Sequence, residues 1–189
     1  MDGDRRTDPA LLDALRSSQR LGMLGDRPVD EVVDHAGAVV DALAVVTGTV
    51  IDLGAGGGVP GLVIAVARPD LRLVLVDRRT SRTDHLHRLV ARLGLVGRVD
   101  VLAAEASALG ETWNATAGAV VARGFGPPAV VVPVAVPLLV DGGLLVVSEP
   151  PHGDGVDRWP PTLLDDWRLR RVDSDRRVAV FATTVSRET

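Results

Sequence analysis

The chain has 189 residues, of which 46% are apolar and 3% aromatic, and its formal net charge is −4. This length suits a single domain with one substantial core, built from Val, Leu and Ala because aromatic residues are scarce. The lack of cysteine excludes a disulfide framework, cysteine-ligated zinc and thiol catalysis. All 21 basic residues are arginine, so any contact to a phosphate must come from guanidinium groups or backbone amides.

The sequence also argues against a membrane protein. No apolar run reaches the roughly 18 to 20 residues of a membrane helix. The charged N-terminus, Met1-Asp2-Gly3-Asp4-Arg5-Arg6, is not followed by the apolar segment of a signal peptide. We therefore expect a cytoplasmic protein without a membrane partner. We also expect it to be a monomer. The four histidines show no metal-ligand spacing, and we expect no metal.

The predicted elements begin with two helices and continue as alternating strands and helices. The helices cover about residues 9–24, then a segment that follows Pro28 and ends before Thr47-Gly48. Strands are predicted over residues 50–53, 71–77, 99–103, 119–122 and 144–148, with helical stretches over residues 60–67, 82–93 and 128–140. Residues 167–172 and 177–183 flank a polar turn and predict a β-hairpin, whereas residues 150–161 predict a loop.

This order predicts an α/β fold with a Rossmann-like doubly wound sheet. Alternating strands and helices form parallel sheets with right-handed crossovers. The sheet is expected to be mostly parallel, with the C-terminal hairpin antiparallel. We expect residues 1–48 to be a helical segment packed on the core, and residues 49–189 to be the ligand-binding part of one domain overall.

A glycine-rich turn follows the first predicted strand. The strand runs into Gly54-Ala55-Gly56-Gly57-Gly58-Val59-Pro60-Gly61, where a helix begins. Glycine allows positive φ and lets a ligand approach the backbone, while free amides at a helix start bind acceptor groups. A plain connecting turn would not need so many glycines, because each one costs chain entropy.

Two ligand classes compete for this turn. Residues 56–61 match the dinucleotide fingerprint G-x-G-x-x-G, but the strand ends at Leu53, so the turn begins at Gly54 and Val59 takes the third glycine position. A dehydrogenase would also need a substrate domain. Asp52, two residues before Gly54, fits the h-D-h-G-x-G-x-G pattern of turns that bind S-adenosylmethionine. The sequence therefore favours a class I methyltransferase with that cofactor.

Two further acidic positions support an adenosyl ligand. Asp77 ends the second predicted strand and can accept both ribose hydroxyls, or it can cap the next helix. Ala104-Glu105 follows the third strand, where adenine would lie; Glu105 can equally be a residue that favours a helix start. Asp52 is expected near the amino group of the cofactor, or as a carboxylate that orders the turn.

Several motifs together resemble one family. The turn with its Val59-Pro60-Gly61 extension, Ala67-Arg68-Pro69-Asp70, Leu75-Val76-Asp77 and Val121-Ala122-Arg123-Gly124-Phe125 are similar to the RsmG family (glucose-inhibited division protein B). The resemblance covers about residues 30–145 and includes His35, which we interpret as structural. It implies methylation of N7 of a guanine in small-subunit (16S) rRNA, with Arg123 beside the cofactor.

The chain departs from the family in its N-terminal signature and at two cationic positions. The N-terminal W-N…N-L-T signature is absent, a lysine-arginine pair becomes Ser81-Arg82, and a lysine-glycine becomes Glu149-Pro150. The alternatives are therefore a methyltransferase for a small metabolite or a degenerate cofactor-binding paralogue. No residue is assigned as a certain catalyst, because guanine N7 carries no proton and positioning by Arg123 and Phe125 would suffice.

The candidate residues fall into two sets. The cofactor-binding candidates are Asp52, Gly54, Ala55, Gly56, Gly58, Val59, Asp77, Arg78, Ala104, Glu105 and Arg123. The substrate or RNA candidates are Arg79, Arg82 and Phe125. A further candidate surface for RNA is an arginine cluster predicted on the hairpin, which comprises Arg168, Arg170, Arg171, Arg176 and Arg177.

Overall fold

The computed structural model describes residues 5–149, 158–175 and 177–184. The predicted loop at residues 150–161 lies mostly outside these ranges, as does Arg176 of the predicted arginine cluster. The helices of the described part are α1 (Pro9–Arg20), α2 (Val29–Ala42), α3 (Gly61–Ala67), α4 (Thr80–Arg92), α5 (Gly110–Trp113), α6 (Pro128–Ala135) and α7 (Pro161–Asp166). None of them is long and apolar enough to cross a membrane.

The strands form one sheet with the order β3-β2-β1-β4-β5-β7-β6. Their bounds are β1 (Thr49–Leu53), β2 (Arg72–Asp77), β3 (Val99–Ala103), β4 (Ala117–Ala122), β5 (Leu139–Ser148), β6 (Leu169–Asp175) and β7 (Val178–Thr183). Strands β1 to β5 pair in parallel, and β7 pairs antiparallel with both β5 and β6. The predicted doubly wound sheet with a C-terminal antiparallel hairpin is confirmed.

The strands are buried on both faces because helices cover both sides of the sheet. In β2, Leu73 and Leu75 pack into the core under α1 to α4, while Val74 and Val76 pack into the opposite core with α6 and Phe181. This alternation follows the two-residue period of a strand. Helices α1 and α2 contribute residues such as Leu11 and Val39 to the first core.

Three local predictions were wrong. Strand β6 continues through residues 173–175, which were predicted as the turn. Helix α7 lies between the predicted loop and the predicted hairpin, where no element was assigned. Strand β5 begins at Leu139 rather than at residue 144, because β4 pairs with its start and a register shift accommodates Gly142, at φ 75°. The helix predicted up to residue 140 is correspondingly shorter.

The topology brings the carboxyl ends of β1 to β5 to one edge of the sheet. The strand order reverses between β1 and β4, which lie side by side although β2 and β3 separate them in the sequence. Open α/β sheets bind ligands outside the carboxyl ends of the strands at such a reversal. The glycine-rich turn after β1 lies at this point.

Candidate functional site

The glycine-rich turn depends on positive φ angles at three positions. Gly54, Gly56 and Gly58 have φ of 72°, 53° and 99°, a region that other residues rarely adopt. The amides of Gly54 and Ala55 each donate a 2.9 Å hydrogen bond to the carbonyl of Val76, which fixes the turn to the end of β2. The turn is therefore hydrogen-bonded to the edge of the sheet.

Asp52 lies beneath this turn and is fully buried. Its Oδ2 accepts a 2.9 Å hydrogen bond from the amide of Gly61, at the start of α3, and its Oδ1 has no hydrogen-bond partner among the described residues. Burial raises the pKa of Asp52 to about 7, although the Gly61 hydrogen bond and the charge of Arg123 act in the opposite direction. The side chain orders the turn from below, and it does not line either of the cavities described next.

A cavity of about 370 Å³ opens beside the turn. We call it the β1–β3 cavity, because the ends of these strands form most of its wall. Its lining residues are Gly54, Val76, Asp77, Arg78, Arg79, Arg82, Ala104, Glu105, Ala106, Gly124, Phe125 and Val130. A Cβ atom built on Gly54 would lie 3.0 Å from the Phe125 ring, so the glycine also keeps this wall open.

Asp77 is the buried carboxylate of the β1–β3 cavity, with 5% of its surface exposed. Its Oδ2 accepts hydrogen bonds from the Gly56 amide at 3.0 Å and from Arg82 Nη1 at 3.3 Å. Its Oδ1 accepts one from the Arg79 amide at 2.9 Å. The carboxylate thus joins the glycine-rich turn to the start of α4.

The mouth of the same cavity is charged. Arg78 and Glu105 face each other with 3.7 Å between Nη1 and Oε1, and both side chains are 65% exposed. The backbone amide of Ala104 donates a 3.2 Å hydrogen bond to the Asp77 carbonyl, which holds the ends of β2 and β3 together. A nucleoside edge at this position would meet a carboxylate and small side chains.

A second cavity, of about 530 Å³, lies between the N-terminal segment and the ends of β4 and β5. We call it the β4–β5 cavity. Its lining residues are Gly25, Asp26, Arg27, Val32, His35, Arg123, Gly124, Ser148, Glu149 and Arg158. Gly124 lines both cavities, which therefore meet at the end of β4.

Burial and the charges around the β4–β5 cavity keep its histidine neutral. Burial lowers the pKa of His35, and the nearby Arg123, Arg177 and Arg27 lower it further, while Asp34 acts in the opposite direction. Burial also lowers the pKa of Arg123, which is half-buried and still cationic at neutral pH. The cavity therefore combines arginine charges with an uncharged imidazole.

Glu149 does not present a free acid to this cavity. Its Oε1 accepts a 2.6 Å hydrogen bond from Trp159 Nε1, and its Oε2 accepts one of 3.0 Å from Arg158 Nη1. The Glu149 side chain is only 2% exposed. Arg158 donates a further bond to the Gly126 carbonyl at 3.1 Å, so its guanidinium is held in place as a cation on the cavity wall.

The segment between α1 and α2 covers the turn and borders the second cavity. A Cβ atom on Gly57 would lie 2.8 Å from Leu24 and 2.9 Å from the Met23 carbonyl, so this glycine permits close packing of the two segments. Gln19 Nε2 donates to the carbonyls of Gly25 and Arg27, each at 2.7 Å. These bonds position the segment that contributes Arg27 to the cavity.

The structure brings most of the predicted residues to one place. Those that line the β1–β3 cavity are Gly54, Asp77, Arg78, Arg79, Arg82, Ala104, Glu105 and Phe125, and Arg123 lines the adjoining cavity. The other candidates line neither cavity and form the base and frame of the turn; they are Asp52, Ala55, Gly56, Gly58 and Val59. Arg82, predicted to contact RNA, forms an ion pair with Asp77 inside the cavity.

Sequence reasoning missed most of the β4–β5 cavity. Arg27, Ser148 and Arg158 line it but belong to no recognisable motif, and His35 was interpreted only as structural. In the predicted arginine cluster on the hairpin, the guanidinium of Arg171 is not wholly exposed, because its Nε and Nη2 are buried. The guanidinium of Arg171 lies 5.4 Å from the ring centre of Phe181.

The fold and the site together define a class of protein. A seven-stranded sheet with an antiparallel end, a glycine-rich turn after β1 and a carboxylate at the end of β2 are the features of a class I methyltransferase fold. A solved S-adenosylmethionine-dependent O-methyltransferase from Thermotoga maritima shares this fold, with a TM-score of 0.66 and 19% identity, over 96% of this chain and 73% of that one.

The sequence comparisons give the family. The model described as "rRNA small subunit methyltransferase G" (GidB) matches residues 14–149. Among curated proteins of that name, one from Frankia casuarinae is 30% identical over 83% of this chain and 64% of its own length. One from Salinispora tropica is 36% identical over 66% of this chain and 54% of its own length. The chain belongs to this family, and it spans less than two thirds of the length of each of these relatives.

Proposed function

We propose that this protein transfers a methyl group from S-adenosylmethionine to N7 of a guanine in small-subunit rRNA, in the cytoplasm. The observation that carries the proposal is the buried Asp77 carboxylate, which lies in a cavity next to a turn with three glycines at positive φ. Membership of the rRNA methyltransferase G family supports the choice of acceptor.

The residues of the β1–β3 cavity fit the cofactor. Asp77 offers carboxylate oxygens to the two ribose hydroxyls, as acidic residues do at the same place in other Rossmann-like folds. Gly54 lines the cavity, and a side chain there would collide with Phe125. Ala104 and Glu105 leave room and an acceptor group for the adenine edge.

When bound, the cofactor supplies a methyl group on a positively charged sulfur. Guanine N7 attacks with a lone pair and carries no proton, so the chain need not supply a base. Gly124 and Arg123, at the end of β4, border the point where the two cavities meet, and they would align the acceptor with the methyl group. Alignment of two reactants can contribute on the order of 7 to 11 kcal/mol.

The cations of the β4–β5 cavity suit an RNA acceptor. Arg27, Arg123 and Arg158 line this cavity, and Arg78 lies exposed at the mouth of the other one. Guanidinium groups bind phosphate oxygens and stack on bases. Glu149 stands where the family has a lysine. Arg158 forms an ion pair with Glu149 and so places a cation next to that position.

One observation favours a second candidate, a methyltransferase for a small metabolite. His35 lines the β4–β5 cavity, and its pKa is lowered by burial and by the neighbouring arginines, so its imidazole is unprotonated and presents a nitrogen lone pair, as a weak base. An amine or hydroxyl acceptor would need such a base, whereas guanine N7 does not.

Methylation of small ribosomal subunits from a strain that lacks the corresponding gene tests the proposal. The purified protein is supplied with methyl-labelled S-adenosylmethionine, and the rRNA nucleosides are separated and identified by mass. We expect label in N7-methylguanosine, and much less of it with the Asp77→Ala variant when the cofactor concentration is close to the Kd of the wild type. Unlabelled rRNA, or label in another nucleoside, would contradict the proposed acceptor.

A further inference from the structure

Arg82 forms an ion pair with Asp77, the carboxylate that the proposed function assigns to the ribose hydroxyls. Its Nη1 lies 3.3 Å from Asp77 Oδ2, with 28% of the Arg82 side chain and 5% of the Asp77 side chain exposed. The same Nη1 lies 3.5 Å from the position of a Cβ atom on Gly56. The guanidinium therefore reaches back from α4 to the glycine-rich turn.

The hydrogen bonds of Asp77 leave little room for a ribose. A carboxylate offers about four lone-pair positions. The amides of Gly56 and Arg79 and the guanidinium of Arg82 take three of them. The two backbone amides are fixed by the turn and by the start of α4, so the side chain of Arg82 is the partner that can leave.

We propose that Arg82 is a built-in competitor for the ribose position, and that the two ribose hydroxyls of a bound adenosyl ligand displace its guanidinium from Asp77. This inference rests on the proposed function. A ribose brings two donors to a carboxylate with about one position left. Binding of the nucleoside must therefore break the ion pair, and the affinity for the ligand is reduced accordingly.

The expected effect is modest because the ion pair is partly exposed. Pairs of this kind are worth up to about 1 kcal/mol, which corresponds to about fivefold in affinity. Removal of the Arg82 guanidinium should thus strengthen binding by about fivefold. If Arg82 instead supported the ribose, removal of its guanidinium would weaken binding of the ligand.

Calorimetric titration with S-adenosylhomocysteine tests this inference. Arg82→Gln and Arg82→Met both remove the guanidinium, and Met cannot form a new hydrogen bond to Asp77. Arg88→Gln is the matched control, since Arg88 is exposed on the same helix and does not line the cavity. A second ligand, the 2′,3′-dideoxy analogue, lacks both ribose hydroxyls.

We expect both Arg82 variants to bind S-adenosylhomocysteine about fivefold more tightly than the wild type and Arg88→Gln to be unchanged. The dideoxy analogue should bind equally to all of them. Unchanged or weaker binding by the Arg82 variants, with normal binding by the wild type, would overturn the inference alone. Failure of every protein to bind would overturn the proposed function as well.

Discussion

The two cavities differ in how the chain builds them. The β1–β3 cavity is formed mainly by the ends of consecutive strands and by one glycine-rich turn, with Gly54 and Asp77 as its central residues. The β4–β5 cavity combines Arg27, His35, Arg123 and Arg158, several of which are far apart in the sequence. A ligand site made by a local motif can be recognised from sequence, whereas one assembled from distant side chains needs the fold.

The largest expected effect concerns Asp52, below the turn. Its pKa is raised by burial from 3.8 to about 7, so the unfolded chain ionises first and stability falls as the pH rises from about 4 to about 7. Between pH 4 and pH 7, the free energy of unfolding of Asp52→Asn should rise by about 3 kcal/mol relative to the wild type, since one pKa unit corresponds to about 1.4 kcal/mol. Urea unfolding at several pH values measures this difference.

The control for Asp52 is Asp100→Asn, which changes a carboxylate with an exposed side chain on β3. It controls for the loss of one carboxylate from the chain. If the difference between Asp52→Asn and the wild type stayed constant over the same pH range, the carboxylate beneath the turn would titrate normally, and the turn would not depend on a buried acid.

The next effect tests the ligand side of the β1–β3 cavity. Asp77→Ala removes the acceptor of two ribose hydrogen bonds and should weaken S-adenosylhomocysteine binding by about 100-fold, since bonds to charged groups are worth about 1.5 to 3 kcal/mol. Asp84→Ala, an exposed change on α4, should bind as the wild type does. Calorimetry that gave equal affinities for both variants would remove Asp77 from the site.

A smaller effect is expected where the turn meets α3. A Cβ atom on Gly61 would lie 2.3 Å from Leu75 Cδ2 and 2.6 Å from Asp52 Oδ2. Gly61→Ala should therefore lower the free energy of unfolding by about 2 kcal/mol through overpacking. A Cβ atom on Gly110 would meet nothing within 4 Å, so Gly110→Ala serves as the control in thermal unfolding. Equal melting temperatures of the two variants would show that the turn can relax around the added methyl group.

The smallest effect is expected in the β4–β5 cavity. If the acceptor is guanine N7, His35→Gln should change kcat/KM by less than about threefold, because no proton is removed in the reaction, whereas loss of a general base costs about 100-fold or more. The pH profile of the wild type should show no inflection from His35. A loss of that larger size would favour the small-metabolite candidate.

The framework could be predicted from the sequence because its signals are local. The strand ends, the glycine-rich turn and Asp77 all lie within residues 49–77, where apolar strands and glycine spacing leave few alternatives. The start of β5 was missed because Gly142-Gly143 resembles a turn, and only pairing with β4 makes it a strand. Likewise, the bond from Trp159 to Glu149 depends on contacts that no local pattern encodes.

Arg82 shows the limit within the predicted site itself. Its position near Asp77 follows from the sequence, but we assigned it, together with Arg79, to the substrate or RNA. Its ion pair with Asp77 depends on the direction in which α4 leaves the sheet. Spacing predicts which residues are neighbours, and the structure decides which of them are partners.

A titration of ¹⁵N-labelled protein with S-adenosylhomocysteine, followed by two-dimensional NMR, shows directly whether the glycine-rich turn binds an adenosyl ligand. We expect saturable shifts for the amides of Gly54, Gly56 and Ala104, and none for Gly142 at the opposite end of the sheet. Shifts confined to other residues, or no shift at millimolar ligand, would contradict this expectation.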